Sequence, residues 1–249
     1  MESYINKDLF VVIMKIEIEL KRKPKNVRVI EGFPGFGLVG TITTEFLIDH
    51  LNAERIGTIW FNELSPLVAV HEGKMVEPLG IFYAKKYNLI IVHALADIKG
   101  MEWKIVDALS QLCKMLSAKE MISIEGVGSM GAPGGKSNAY YYSKVASKWK
   151  NVGVSELNEG IVIGVTAALM MKFKQTPLSC VFAETHSNLP DSRAAAKVVE
   201  VLDKYLGLKV DYKPLLKKAK EFESKIKDLV KQSQNVKDVK AKKDLSYLG

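Results

Sequence analysis

Residues 32–40 read Gly-Phe-Pro-Gly-Phe-Gly-Leu-Val-Gly, between an apolar strand-like run (Val27, Val29, Ile30) and a helix-like run from Thr41 to Leu51. A strand–Gly loop–helix junction is where α/β chains place their closest backbone approaches. It restricts the chain to folds in which a buried strand turns sharply into a helix. Within the loop, Gly35-Phe-Gly37-Leu-Val-Gly40 matches G-x-G-x-x-G. Two readings follow: a dinucleotide cradle, or a tight turn in which Gly32, Gly35, Gly37 and Gly40 serve packing alone.

The rest of the chain alternates in the same way. Lys15–Leu20, Arg55–Phe61, Leu67–His71, Leu89–Leu95, Met121–Val127 and Leu178–Ala183 read as strands. Leu89–Leu95 is almost continuously apolar, as in a strand buried on both faces. Ile105, Val106, Leu109, Leu112, Met115 and Leu116 follow helical spacing over 102–116. Gly160–Phe173 reads as a helix, or as a strand running into one. Pro190-Asp-Ser-Arg opens a helix over about 192–206, stopped by Gly207. The pattern predicts a three-layer α/β sandwich with a mostly parallel central sheet over residues 15–212. Residues 1–14 form an N-terminal extension, too acidic at Glu2 and Asp8 for a signal peptide, and Met14 offers an alternative start.

Past Tyr212 the character changes. Leu215, Ala219, Phe222, Ile226 and Leu229 recur at spacings of 4, 3, 4 and 3, which predicts an amphipathic helix over 213–231. Residues 232–249 have little to bury and read as a flexible basic tail ending in Leu245-Ser-Tyr-Leu-Gly249. Of the net charge of +8, residues 213–249 carry +6 (11 Lys against 5 acids), which leaves a nearly neutral body. That balance speaks against a nucleic-acid partner. No apolar run approaches the ~20 residues of a membrane helix, so no membrane partner is expected. Cys113 and Cys180 each sit in an apolar segment and read as buried free thiols in a reducing cytoplasm.

The residues for chemistry are sparse. A dinucleotide site needs an acid about 20 residues beyond the Gly loop, and Glu63 lies 23 after Gly40. Gly128–Ser137 resembles a phosphate loop, but Met130 stands where its first glycine belongs. His50, His71, His93 and His186 lack metal-ligand spacing. Ser129 does not sit in G-x-S-x-G. Glu184, His186 and Asp191 form a polar cluster after the last strand, read either as a site or as a helix cap in a solvated loop. No catalytic constellation, metal or cofactor is expected.

Several motifs in order carry a resemblance. Gly32–Gly40, Glu159-Gly-Ile-Val-Ile-Gly-Val-Thr-Ala-Ala-Leu169, Ala183-Glu-Thr, Asp191-Ser-Arg-Ala-Ala-Ala196 and Leu206-Gly-Leu-Lys-Val-Asp211 resemble the proteasome assembly chaperone family, in its archaeal branch. The resemblance spans roughly residues 15–230. It implies a cytoplasmic, non-enzymatic protein that forms a homo-oligomer (a tetramer or pentamer) and whose partners are the 20S proteasome α-subunits. In this family C-terminal tails dock between neighbouring α-subunits through a hydrophobic residue, a tyrosine and one last residue. Here the docking residues implied are Leu245, Tyr247, Leu248 and Gly249. Tyr247 is third from last and Ser246 stands where an apolar residue is expected, so either Leu245 and Leu248 substitute or the tail docks in a shifted register. Some proteins with such a body have been labelled relatives of ATP-grasp ligases. The alternative function is therefore a nucleotide- or dinucleotide-binding enzyme using loop 32–40.

Overall fold

The computed structural model describes residues 16–64, 66–71, 73–128, 138–145, 148–185 and 189–217. The N-terminal extension and the tail, with Leu245, Tyr247, Leu248 and Gly249, lie outside them. So do Ser129 to Ser137, His186 and all but the start of the 213–231 helix.

In chain order the elements are β1 (Ile16–Leu20), β2 (Arg28–Gly32), α1 (Val39–His50), β3 (Glu54–Phe61), β4 (Ala69–His71), β5 (Lys74–Val76), β6 (Leu79–Ala84) and β7 (Leu89–Ala94). Then come α2 (Glu102–Leu116), β8 (Glu120–Gly128), β9 (Ala139–Ser143), β10 (Ser155–Glu156), α3 (Gly164–Lys172), β11 (Leu178–Thr185), α4 (Ser192–Leu206) and α5 (Lys213–Lys217). Nine strands make one sheet in the order β1-β3-β6-β7-β2-β8-β11-β9-β10, and β4 pairs with β5 in a small hairpin. The four central strands β7, β2, β8 and β11 are mutually parallel. Their residues are almost wholly buried, because helices cover both faces. Outside this centre the pairings of β1, β3, β6 and β7 are antiparallel, as is that of β9 with β11.

Helices α1 and α4 lie on one face, over Ile30, Ile91, Ile122, Ile124 and Val181. Helices α2 and α3 lie on the other, over Val29, Ile90, Val92, Met121 and Phe182. Helix α1 is buried along most of its length because α4 packs on it from outside, and Ala194, Ala195 and Ala196 keep that approach close. Helix α4 starts where its cap dictates: the Asp191 carboxylate accepts the Arg193 and Ala194 N–H groups at 3.1 and 3.0 Å. It stops at Gly207, whose φ of 68° suits a residue without a side chain. At this lower end Tyr205 stacks on Trp149 at 3.8 Å and donates its hydroxyl to Glu120 at 2.7 Å.

Helix α3 begins at Gly164, because Ile163 is extended and Gly164 takes a positive φ of 73°. The preceding apolar residues Ile161 and Ile163 are exposed, and that stretch is neither helix nor strand. Cys113 and Cys180 are buried free thiols, and burial raises the pKa of both.

Candidate functional site

The tripeptide Ile-Glu-Gly recurs near the carboxyl ends of two neighbouring strands, closing β2 as Ile30-Glu31-Gly32 and standing two residues before the end of β8 as Ile124-Glu125-Gly126. From β2 the chain leaves towards β3 on one side of the sheet, and from β8 towards β9, beyond β11, on the other. The carboxyl ends of this strand pair are therefore the switch point at which open α/β sheets bind ligands. Here the Gly-rich turn folds down onto them.

Each glycine of the turn faces an immediate neighbour. A Cβ on Gly35 would overlap the Glu125 carboxylate. Gly37, at φ 65°, places its Cα against Thr185, whose Oγ1 would lie 2.7 Å from an added Cβ. Gly40 and Gly32 pack backbone to backbone, and a Cβ on Gly40 would meet Gly32 Cα and the Ile124 carbonyl at 2.9 Å. On the facing strand, Gly126 abuts the Phe36 carbonyl. Leu38 also adopts a left-handed conformation, at φ 51°.

Glu125 binds the turn to the sheet. Its Oε1 accepts the Phe36 N–H at 3.3 Å and its own neighbour's Gly126 N–H at 3.0 Å. An acidic side chain thus occupies one of the loop amides that a bound phosphate would need. Glu31 lies on the same face, directly across from Ser123 in the β2–β8 register, and Ser123 hydrogen-bonds it. Ser123 Oγ is 2.8 Å from Thr166 Oγ1 on α3, and the Thr166 hydroxyl in turn bonds Glu125. Burial pushes the Glu31 carboxyl up to about 8, and Glu125 adds to that by repulsion. Burial likewise pushes Glu125 up to about 7.

The other predicted positions do not converge on this point. Glu63 lies past the end of β3, with β6 and β7 between that strand and β2, and it is paired with Lys104. At ~4.8 Å per strand it stands roughly 14 Å to the side of a ribose bound at β2. Glu184 accepts hydrogen bonds from Tyr140 at 2.7 Å and Asn138 at 2.9 Å, and Asp191 caps α4. His93 is buried on the opposite face, with Nδ1 2.8 Å from Thr44 Oγ1. Its Nε2 lies 3.1 Å from Glu45 Oε2, close enough to attract an imidazolium though not aligned as a hydrogen bond. Among the described residues no group of three or more His, Cys, Asp or Glu side chains is placed to hold a metal ion. No described helix is long and apolar enough to cross a membrane.

The residues that sequence reasoning passed over are Glu31, Ser123, Glu125 and Thr166. The repeated Ile-Glu-Gly was the available signal, since an acid inside an otherwise buried strand needs a reason to be there.

A parallel-centred α/β sheet whose switch point is closed by a Gly-rich turn defines a class of protein, and the comparisons agree on which. Residues 29–230 match the PAC2 family, and the chain belongs to it. Among its relatives, MJ0106 of Methanocaldococcus jannaschii is 30% identical over 229 residues, covering 90% of this chain and 91% of that protein. Among solved structures, Pyrococcus furiosus PbaA, an archaeal homolog of proteasome-assembly chaperone, is 29% identical. It aligns with a TM-score of 0.78 over 90% of this chain and 100% of its own. Pyrococcus furiosus PbaB, an archaeal proteasome activator, shares the fold at 21% identity and a TM-score of 0.72, over 87% of this chain and 99% of its own. The resemblance read from the motifs and the three-layer α/β fold are thereby established.

Proposed function

We propose that this chain is a cytoplasmic, homo-oligomeric partner of the 20S proteasome. Its C-terminal tails grip the α-ring, and its body is the platform that presents them. The likeness to PbaA across nearly the whole of both chains is the observation that carries this reading. The closed switch point supports it, because the glycines there are consumed by packing and a Glu125 carboxylate fills part of the cradle.

The tail supplies the recognition. Tyr247 fills an apolar pocket between α-subunits and hydrogen-bonds through its hydroxyl, Leu245 and Leu248 add apolar contact, and the terminal carboxylate of Gly249 pairs with a cationic side chain. Lys237, Lys240, Lys242 and Lys243 steer the encounter with an acidic rim. A single peptide of this size binds weakly, and several tails on one oligomer bind tightly through effective concentration. The linker from Gln232 gives each tail a reach of roughly 20 Å, at about 5–6 Å × √n.

Co-sedimentation with purified archaeal 20S particles tests the proposal. The full chain is expected to sediment with the particle, and the chain lacking residues 245–249 to stay in the supernatant with its melting temperature unchanged. Equal sedimentation of the two would overturn it. The enzyme reading has its own test: a melting temperature raised by ATP or NAD, and no longer raised in Gly37→Ala, would favour it.

A further inference from the structure

The hydrogen atoms around the buried acids can be counted. Glu31, Ser123, Thr166 and Glu125 form a chain of three oxygen–oxygen contacts. Each contact needs one hydrogen, and the two hydroxyls supply two. The third has to be a carboxyl proton. Glu125 already accepts two backbone N–H groups, from Phe36 and Gly126, whereas the backbone gives Glu31 only the Phe33 N–H. The anion is best held at Glu125, and the proton at Glu31.

Among the described residues no cation answers the pair from the surrounding elements. On β11 the titratable neighbour is the Cys180 thiol, raised by burial first and by Glu31 in addition. On α2, Lys104 is engaged by Glu63 and Asp107 by Lys172, and Cys113 is a buried thiol. On β7, His93 faces Thr44 and Glu45 across the sheet. Neither Glu31 nor Glu125 has an ion-pair partner among the described residues. A second negative charge here would be buried and uncompensated, which is costly.

We propose that Glu31 and Glu125 hold one proton between them, relayed through Ser123 and Thr166, and that this proton latches the Gly-rich turn to the sheet. While it is present the network is complete, and Glu125 holds Phe36 down at the switch point. When it leaves, two anions face each other beneath the turn, the Phe36 contact opens, and the start of α3 at Thr166 loosens with it. Burial raises both carboxyls towards neutrality and above, which places the release on the alkaline side. The latch is independent of the tail and of any proteasome contact.

Glu31→Gln is the informative variant, because its amide supplies the missing hydrogen permanently. Amide exchange of Phe36 and Gly126, corrected for intrinsic rate, is measured on the full chain at pH 6 to 9. Wild type is expected to lose protection about ten-fold per pH unit once the shared proton leaves, and Glu31→Gln to keep it. Infrared spectra of the wild type are expected to show a buried protonated-carboxyl band at pH 7 that disappears in the same alkaline range. Ser123→Ala, which cuts the relay, is expected to shift that disappearance. Pair-wise identical pH profiles for wild type and Glu31→Gln would overturn the latch. So would absence of the protonated-carboxyl band at pH 7, a result that holds even if Glu31→Gln fails to fold.

Discussion

At Gly40 the smallest possible change meets backbone on three sides: Gly32 Cα and the Ile124 carbonyl at 2.9 Å, and the Phe33 carbonyl at 3.1 Å. None of these is a flexible side-chain tip. Gly40→Ala is therefore expected to cost about 1–3 kcal/mol by overpacking, read from a urea or thermal melt. Loss of ligand binding is not needed to explain that cost. Glu31 and Glu125 bear on pH at the same scale. Both fold with carboxyl pKa values above the unfolded 4.5, at about 8 and about 7. Between those limits the unfolded chain binds fewer protons than the folded one, so stability falls as pH rises. The contribution is intact below about pH 4.5 and fully lost once pH passes about 8. Each proton held contributes a slope of up to about 1.4 kcal/mol per pH unit. A Glu31→Gln chain is expected to melt with a shallower pH dependence over pH 5–8 and to be the more stable of the two at pH 8. An unchanged slope would contradict the assignment.

Among the elements, α4 is the most clearly written in the sequence. Asp191 as cap, an amphipathic run over 192–206 and Gly207 as stop all lie where the residues predict them. Asp191→Ala is expected to cost about 1 kcal/mol, measured by equilibrium denaturation, because two N–H groups at the start of α4 lose their acceptor. Helix α2 and strands β3, β7, β8 and β11 were legible for the same reason: periodicity and burial agree there. Strand β6 was not, because Pro78 and Gly80 interrupt its pattern, and its place in the sheet comes from pairing with β3 and β7. Strand β9 was hidden in Ala-Tyr-Tyr-Tyr-Ser after a Gly-rich segment, and its place comes from pairing with β11 and β10. The antiparallel pairings of β6 and β9 went unread with those strands, and that of β1 with β3 depends on the sheet order, which local patterning does not give. At the site the glycines were legible and the acids were not. A glycine loop announces itself locally, whereas Glu31 acquires meaning only when β8 brings Ser123 opposite it.

On the scale of the whole molecule, the charge is concentrated where the proposed ligand lies. Residues 213–249 carry most of the net +8 on a nearly neutral body. Binding to an acidic rim is then expected to weaken as salt rises from 50 to 300 mM, chiefly in the association rate, because the Debye length shrinks from ~14 Å to under 8 Å. Light scattering after gel filtration is expected to show a tetramer or pentamer, as the avidity argument requires several tails per particle. The most direct test compares one tail with many. Immobilised 20S particles are titrated with the full-length oligomer, with the same chain lacking residues 245–249, and with a free peptide ending in Leu-Ser-Tyr-Leu-Gly. The oligomer is expected to bind at least about 10²-fold more tightly than the peptide, and the shortened chain not to bind. Equal affinity of the full and shortened chains would show that the body, and not its tails, makes the contact.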